Sequence, residues 1–187
     1  MKRIALLLFA VLALSLTACD VFNSTFDLEF SETSTEANAS AEIATARYVG
    51  MVQTFHIDDV TGYPQIGDPD APIEILQFSS FSCPHCSRFH IDIFPSILQR
   101  IRNGEVSYVF IPLYIAGNIG DGEAAAEAMM CAGYQESAFS FTDLLFDAQV
   151  EYGNEAFTSS RLGAMAQSLG LDLEAWQTCL ANDGTSL

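Results

Sequence analysis

Apolar and polar residues alternate along this chain in a pattern that predicts a strand, a helix and a second strand, with further helices after them. Residues 73–78 form a short, mostly apolar run that is typical of a buried strand. An amphipathic segment over residues 84–102 predicts a helix, which Pro95 should kink because it removes an internal hydrogen bond. Residues 106–113 predict a strand parallel to the first. We therefore expect an α/β fold built on one βαβ unit.

The pattern becomes helical throughout after about residue 120 and predicts an α-helical subdomain over about residues 120–182. Thr158 and Asp172 are the expected N-caps, and Gly170 is the expected C-terminal stop. The methionines and phenylalanines have the spacing of core residues, although such side chains can also line a peptide groove. The four predicted helices cover residues 123–134, 137–150, 158–169 and 172–181.

The part of the chain before the first strand has little regular pattern. Residues 62–72 are rich in Gly, Pro and Asp, which predicts turns, and we expect the globular domain to begin near residue 55. Residues 19–54 are interpreted as an acidic tether rich in Ser and Thr. The alternative is that residues 37–52 form a short helix packed on the domain.

The N-terminal segment has the features of an export signal. Lys2 and Arg3 precede an apolar run, and the sequence Leu-Thr-Ala-Cys then ends at Cys19. We interpret residues 1–18 as a lipoprotein signal peptide and Cys19 as the site of lipid attachment; the alternative is an ordinary secretory signal. A membrane span is disfavoured because the run is shorter than about 20 residues. The predicted location is outside the cytoplasm, anchored to a bacterial membrane.

The charge balance narrows the choice of partners. The chain has 7 basic and 24 acidic residues, a formal net charge of −17. Such a charge excludes nucleic acid as a partner and repels acidic lipid headgroups. The lipid on Cys19 is therefore the expected membrane attachment.

The candidate chemistry lies where the first predicted strand meets the first predicted helix. Two thiols, Cys83 and Cys86, are separated by Pro84 and His85 at this turn. A cysteine at a helix N-terminus is stabilised as a thiolate, so Cys83 is the candidate nucleophile. Pro84 suits the first helical turn because its missing N–H costs nothing there. A purely structural disulfide is the alternative.

These residues resemble the DsbA-like thiol-disulfide oxidoreductases, which are thioredoxin folds with an inserted helical domain. The resemblance implies that Cys83 attacks, that Cys86 resolves and that His85 stabilises the Cys83 thiolate. It also implies disulfide donation to exported polypeptides with free thiols, and reoxidation by a quinone-linked membrane protein. The motifs that carry the resemblance are GDPDAP at 67–72, FSCPHCSRFH at 81–90 and GLDL at 170–173, followed by Cys179.

The chain departs from this family in two respects. Members commonly carry acidic residues six and three positions before the first active-site cysteine, where this chain has Gln77 and Ser80. Glu74 has the wrong spacing along the strand to replace them. The family also continues into closing strands and a last helix, which leads us to expect a C-terminally incomplete domain with an unpaired sheet edge. A natural half-domain completed by a partner is the alternative.

Two cysteines remain unassigned, Cys131 and Cys179. In an oxidising compartment we expect them to form a structural disulfide; two buried free thiols are the alternative. A zinc site formed by Cys83, Cys86 and nearby histidines is disfavoured because no second CxxC supplies further ligands. We expect neither a metal nor a cofactor.

The sequence leaves other functions open beside disulfide donation. A disulfide reductase or isomerase would use the same Cys83 and Cys86 pair. A lipid-anchored interaction or structural module would retain the motif without a working site.

Overall fold

The computed structural model describes residues 38–57, 62–114 and 119–182, without the side chains of residues 55–57. Residues 40–187 form one compact unit, and the preceding unit, residues 1–39, lies almost entirely outside the described residues. The predicted signal peptide and Cys19 are among those left outside. Within the described ranges, no helix combines the length and apolar character needed to cross a bilayer.

The described unit is a four-stranded sheet with helices that precede, connect and follow its strands. The sheet order is β1-β2-β4-β3, where β1 is Gln53–Ile57, β2 is Gly62–Ile66, β3 is Ile73–Ser79 and β4 is Val106–Pro112. The helices are α1 (38–47), α2 (Pro84–Asp92), α3 (Phe94–Arg102), α4 (Gly122–Gly133), α5 (Ala138–Tyr152), α6 (Ser159–Ser168) and α7 (Leu173–Ala181), with a 3-10 turn at Gly153–Glu155.

The predicted βαβ unit is confirmed. Strands β3 and β4 pair in parallel, with α2 and α3 between them along the chain. The prediction of one kinked helix is wrong, because the helix ends at Asp92 and a second one begins at Phe94. Pro95 lies in the first turn of α3, where its missing N–H is tolerated, so it starts a helix and does not merely bend one.

The hairpin of β1 and β2 was not predicted. The two strands pair antiparallel over their whole length, where the sequence indicated turns for β2. Pro64 lies within β2, but β2 bonds to β4 only through Gln65 and Ile66, so the proline is outside that ladder. Pairing with neighbouring strands outweighs the local turn preference of this stretch.

Strand β3 lies at the edge of the sheet and is only half-buried. Ile75 and Gln77 are half-buried and Ser79 is fully buried, whereas Leu76 is 49% and Phe78 62% exposed. The prediction of a buried strand is therefore wrong for the face of β3 that carries Leu76 and Phe78. The expected unpaired edge is present, since β3 pairs with β4 alone among the strands of the described sheet.

The helical subdomain agrees closely with its prediction. The Thr158 hydroxyl accepts from the Arg161 N–H, the Asp172 carboxylate accepts from two N–H groups of α7, and Gly170 has a positive φ of 70°. The core interpretation of the apolar side chains is confirmed: Met165 is half-buried, and the buried ones are Met129, Met130, Phe139, Phe141 and Phe146.

Helix α1 packs on the domain. Ala41 and Ala44 are buried beside Leu144 of α5, and Tyr48, just after the helix, joins the main core. The sequence left open a solvated tether or a packed helix for this stretch. Over residues 40–48 the structure shows the packed helix. Residues 19–37 of the predicted tether lie outside the described residues.

Cys131 of α4 and Cys179 of α7 form a disulfide in the structure. The sequence left open a disulfide or two free thiols, and the structure shows the disulfide. Both residues are fully buried, and Trp176, one turn before Cys179, donates to the Ala128 carbonyl 3.0 Å away. The disulfide and this hydrogen bond together hold α7 on α4.

Removing the disulfide is expected to destabilise the domain. It closes a loop with a sequence separation of 48 residues, which corresponds to about 4 kcal/mol in the chain-entropy model. The double variant Cys131→Ala with Cys179→Ala should lose stability of that order in urea unfolding. The matched control replaces Cys83 and Cys86 by Ser. These two cysteines are half-buried and form no disulfide in the structure, so the control should lose much less stability. Equal midpoints for the two double variants would contradict the stabilising role.

Candidate active site

The Cys-Pro-His-Cys motif starts helix α2. Cys83 is the N-cap with extended backbone angles, and Pro84 is the first helical residue, as predicted. The Cys83 carbonyl accepts from the N–H groups of Cys86 and Ser87, at 3.0 and 3.3 Å. Cys86 therefore lies one turn inside the helix, behind Cys83.

The exposure of the motif suits a reaction with another protein. Pro84 and His85 are exposed, whereas Cys83 and Cys86 are half-buried. Both thiols are free, so the structure describes the reduced form of the pair. An incoming sulfur atom can reach this turn from solvent.

The local hydrogen bonds favour a thiolate on Cys83. Partial burial raises the pKa of the Cys83 thiol, but bonds from the Cys86 backbone N–H, the Cys86 side chain and the His85 backbone N–H lower it more. The net result is a pKa below the ordinary thiol value. A lowered pKa raises the thiolate fraction of Cys83, and the thiolate is the reactive form of a cysteine, so the nucleophile role of Cys83 stays a prediction that this environment suits.

His85 acts on the pKa of Cys83 through its backbone. Its backbone N–H is one of the groups that lower the pKa of Cys83. Its ring, however, lies beside Arg88, with 2.5 Å between Nδ1 and a guanidinium nitrogen. A guanidinium can only donate, so Nδ1 accepts in this contact. The ring of His85 is engaged with Arg88, one turn along the helix.

Helix α5 packs against the turn and hydrogen-bonds to it, a role that the sequence analysis missed. Gln149 is buried, and its side-chain amide donates to the Phe81 carbonyl and, at 3.5 Å, to the Cys83 carbonyl. Phe81 packs against Phe146 with ring centroids 5.0 Å apart. The signal that could have indicated this role is Gln149 itself, a polar residue within a mostly apolar helical run.

The start of α4 packs tightly against the same turn. The Ile119 N–H donates to the Ser82 carbonyl at 3.3 Å, and the Ser82 N–H donates to Ser80 Oγ at 3.1 Å. A Cβ on Gly122 would overlap Ser82 Oγ and lie 3.0 Å from the Ser82 backbone nitrogen. Gly122 has an ordinary φ, so the glycine is required for space and not for conformation.

Among the described residues of β3, no carboxylate takes the place of the acidic residue that DsbA-like proteins commonly carry six positions before the first active-site cysteine. Gln77 is half-buried with its Oε1 atom unpaired among the described residues, and Glu74 is exposed. Successive strand residues point to opposite faces, which confirms that Glu74 does not replace Gln77.

A second polar cluster lies at the far end of α2, and we call it the His90–Asp143 junction. The His90 Nε2 atom lies 2.6 Å from Asp143 Oδ1, the Tyr48 hydroxyl donates to the same oxygen at 2.9 Å, and Arg47 lies 3.2 Å from Oδ2. His90 is 4% exposed. The junction joins α1, α2 and α5.

Within the part of the chain that the structure describes, no group of three His, Cys, Asp or Glu side chains is placed to hold a metal ion.

The fold and the thiol pair have counterparts among known proteins. Residues 59–186, more than half of the chain, match the family described as Thioredoxin. This chain belongs to the thioredoxin family. Within it, the similarity is to DsbA-like thiol-disulfide oxidoreductases. The four-stranded sheet and the helices of α4–α7 accord with that fold.

Individual relatives and structures support the same assignment. Disulfide bond formation protein D of Bacillus subtilis is 31% identical over 110 residues, which cover 58% of this chain and 50% of that protein. A putative protein-disulfide oxidoreductase of Rickettsia bellii is 27% identical over 131 residues, covering 70% of this chain and 49% of that one. The crystal structure of oxidised BdbD from Bacillus subtilis has 27% identity and a TM-score of 0.56, covering 65% of this chain and 66% of that one. The chain spans about half the length of the curated relatives it matches.

Adding a side chain at Gly122 is expected to disrupt the turn. Gly122→Ala should lose roughly 1–3 kcal/mol of stability because the methyl group overlaps Ser82. The matched control is Gly163→Ala in α6, where no atom lies within 4 Å of the added Cβ; it should gain roughly 0.5–1 kcal/mol. Urea unfolding of both variants measures the difference. Equal effects would contradict the close packing of α4 on Ser82.

The lowered pKa of Cys83 predicts alkylation at unusually low pH. The midpoint of the rate of iodoacetamide labelling should lie below that of an ordinary thiol, and Cys86→Ala should raise it because one hydrogen-bond donor is lost. His85→Ala keeps its backbone N–H and should shift the midpoint less. Because the folded-state pKa is lowered, the thiolate stabilises the reduced protein at high pH. This contribution is lost as the pH falls through the lowered value. An unchanged midpoint in Cys86→Ala would contradict this account.

Proposed function

We propose that this protein is a thiol-disulfide oxidoreductase that donates the Cys83–Cys86 disulfide to exported polypeptides. The observation that carries the proposal is the half-exposed Cys83 thiol at the start of α2, with a lowered pKa and Cys86 one turn behind it. The names of the relatives, disulfide bond formation protein and protein-disulfide oxidoreductase, support the same reaction.

The reaction begins from the oxidised pair. A substrate thiolate attacks the Cys83 sulfur, the Cys83–Cys86 bond breaks, and Cys86 leaves with the electron pair and takes up a proton. A second substrate thiolate then attacks the substrate sulfur of the mixed disulfide and displaces Cys83 as a thiolate. The substrate loses two electrons and gains a disulfide, and the enzyme gains those two electrons as a dithiol.

The local structure favours this direction over reduction. A low pKa makes Cys83 a good leaving group in the second step, and a stabilised thiolate favours the reduced form of the pair. A disulfide whose reduced form is stabilised is a strong oxidant of other thiols. The exposed Pro84 and His85 leave the turn open to an extended polypeptide.

The partners and location follow from the sequence and the resemblance. An export signal over residues 1–18 and a lipid on Cys19 would hold the domain at the outer surface of a bacterial membrane. Exported polypeptides with free thiols would be the substrates there. A quinone-linked membrane protein would accept the two electrons and reoxidise Cys83 and Cys86.

The reduction potential of the Cys83–Cys86 pair tests the proposed direction. The full chain is equilibrated with glutathione buffers, and free thiols are counted by mass spectrometry after alkylation. A potential less negative than about −180 mV, the value of protein disulfide isomerase, is expected for a donor. A value near about −270 mV, as for thioredoxin, would indicate a reductase. The variant Cys86→Ser is the control, since it cannot close the pair, and a wild-type pair that never cycles would refute the enzyme function.

A further inference from the structure

The resolving thiol Cys86 needs a group that exchanges its proton. It leaves as a thiolate when the disulfide opens and must lose a proton before it can close the bond again. A half-buried thiolate without a partner is costly. Gln77 cannot serve, because an amide does not titrate, and Glu74 lies on the opposite face of β3.

His90 occupies the same face of α2 as Cys86, one turn further along. Residues four apart are neighbours on a helix surface, and helical side chains point back towards the N-terminus. The side chain of His90 is therefore directed towards the turn that holds Cys86. The only fully buried residues of α2 are Ser87 and His90, so this face forms the inner side of the helix.

The hydrogen bonding of His90 leaves one ring nitrogen available. A carboxylate can only accept, so Nε2 donates in the 2.6 Å contact with Asp143, and in the neutral ring Nδ1 then holds a lone pair. Nδ1 is buried and has no hydrogen-bond partner among the described residues. An unpaired buried ring nitrogen costs stability, so its presence calls for an explanation, and a functional role is one.

The surroundings hold the ring in place. His90 packs between Phe94 and Phe146, with centroids 4.9 and 4.8 Å away. Asp143 is itself held by the Tyr48 hydroxyl and by Arg47, which is 35% exposed and lies between the junction and solvent. The imidazole cannot turn away without breaking these contacts.

The other titratable groups around the ring are less suited to the exchange. Burial raises the pKa of Tyr48, from the segment after α1, and of Tyr108, from β4, so both phenols stay protonated. Burial and the neighbouring Asp143 raise the pKa of Asp147 of α5, but its side chain lies one turn along from the junction. His90 of α2 is left as the group placed to exchange a proton with Cys86, with Asp143 of α5 beside it.

We propose that His90 accepts the proton of Cys86 through Nδ1 when the disulfide closes, and returns it when the disulfide opens, with Asp143 as the positioning residue. On closure, the Cys86 S–H proton passes to Nδ1, the Cys86 sulfur attacks Cys83, and the bound substrate sulfur leaves with the electron pair. The imidazolium is stabilised by the Asp143 carboxylate. The inference rests on the proposed function, since it concerns the same thiol pair.

A pH-jump experiment on the full chain isolates the closing step. Cys83 is first capped as a mixed disulfide with 2-thiopyridine at about pH 4, where a low-pKa thiol still reacts. The pH is then raised, and closure by Cys86 is followed through the absorbance of the released thiopyridone. His90→Gln keeps an amide donor near the position of Nε2 but has no nitrogen lone pair that could accept a proton in place of Nδ1.

The proposal predicts a specific change in the pH profile. Closure in His90→Gln should be at least about 10-fold slower at pH 7. General acid–base catalysis typically contributes roughly 100- to 10,000-fold, so a 10-fold loss is a low threshold for the effect. The two proteins should converge above about pH 9, where an ordinary thiol ionises unaided. Asp143→Asn, which keeps an acceptor for Nε2 but no charge, should show a smaller loss of the same kind.

A matched control separates proton exchange from a structural effect. Ser140→Ala removes another buried contact between α5 and α1, the 3.4 Å bond to the Ala44 carbonyl, and should keep the wild-type profile. If His90→Gln matches wild type at pH 7, or is slowed equally at every pH, the proposal is overturned while the oxidoreductase function stands. A wild-type protein that releases no thiopyridone would instead refute the function itself.

Discussion

The packing of α5 beneath α2 is the constraint on which the active-site turn depends. Gln149 near the end of α5 bonds to the carbonyls of Phe81 and Cys83, and Asp143, two turns earlier, bonds to His90. One buried helix thus holds both ends of the helix that carries the thiols. The helical subdomain is therefore part of the candidate site, although neither Cys83 nor Cys86 lies in it.

Burial and hydrogen bonding act against each other at Cys83, and the balance sets its chemistry. Partial burial alone would raise the pKa of the Cys83 thiol and make it a poor nucleophile. Donors from Cys86 and from the His85 backbone reverse the effect, because they favour the charged sulfur. These donors exist only because the turn begins a helix, so the local fold and the reactivity have one cause.

A set of buried polar groups lies between α2 and α5. Tyr48, His90 and Asp143 form a hydrogen-bonded set inside an otherwise aromatic environment. Such a set stabilises one arrangement of the helices only if its members remain paired. It also ties α1 to the active-site helix, so the segment before the first strand contributes to the site through Asp143.

Much of the architecture was predictable because its signals are local. The CxxC turn, the caps Thr158 and Asp172 and the stop at Gly170 depend on neighbouring residues, and each was correctly placed. The hairpin of β1 and β2 was missed because strand pairing overrides the turn preferences of Gly62 and Pro64. The helix break before Pro95 was taken for a kink.

The sequence by itself determined the Cys-Pro-His-Cys turn at a helix start, the βαβ unit and the helical composition, since spacing, capping and periodicity act over a few residues. Only the tertiary structure decided what surrounds the pair. The contacts of Gln149 with Cys83 and of Asp143 with His90 join residues more than 50 positions apart, and Gly122 meets Ser82 across 40. No local pattern encodes such contacts, because they arise when the buried face of α5 and the start of α4 close on α2.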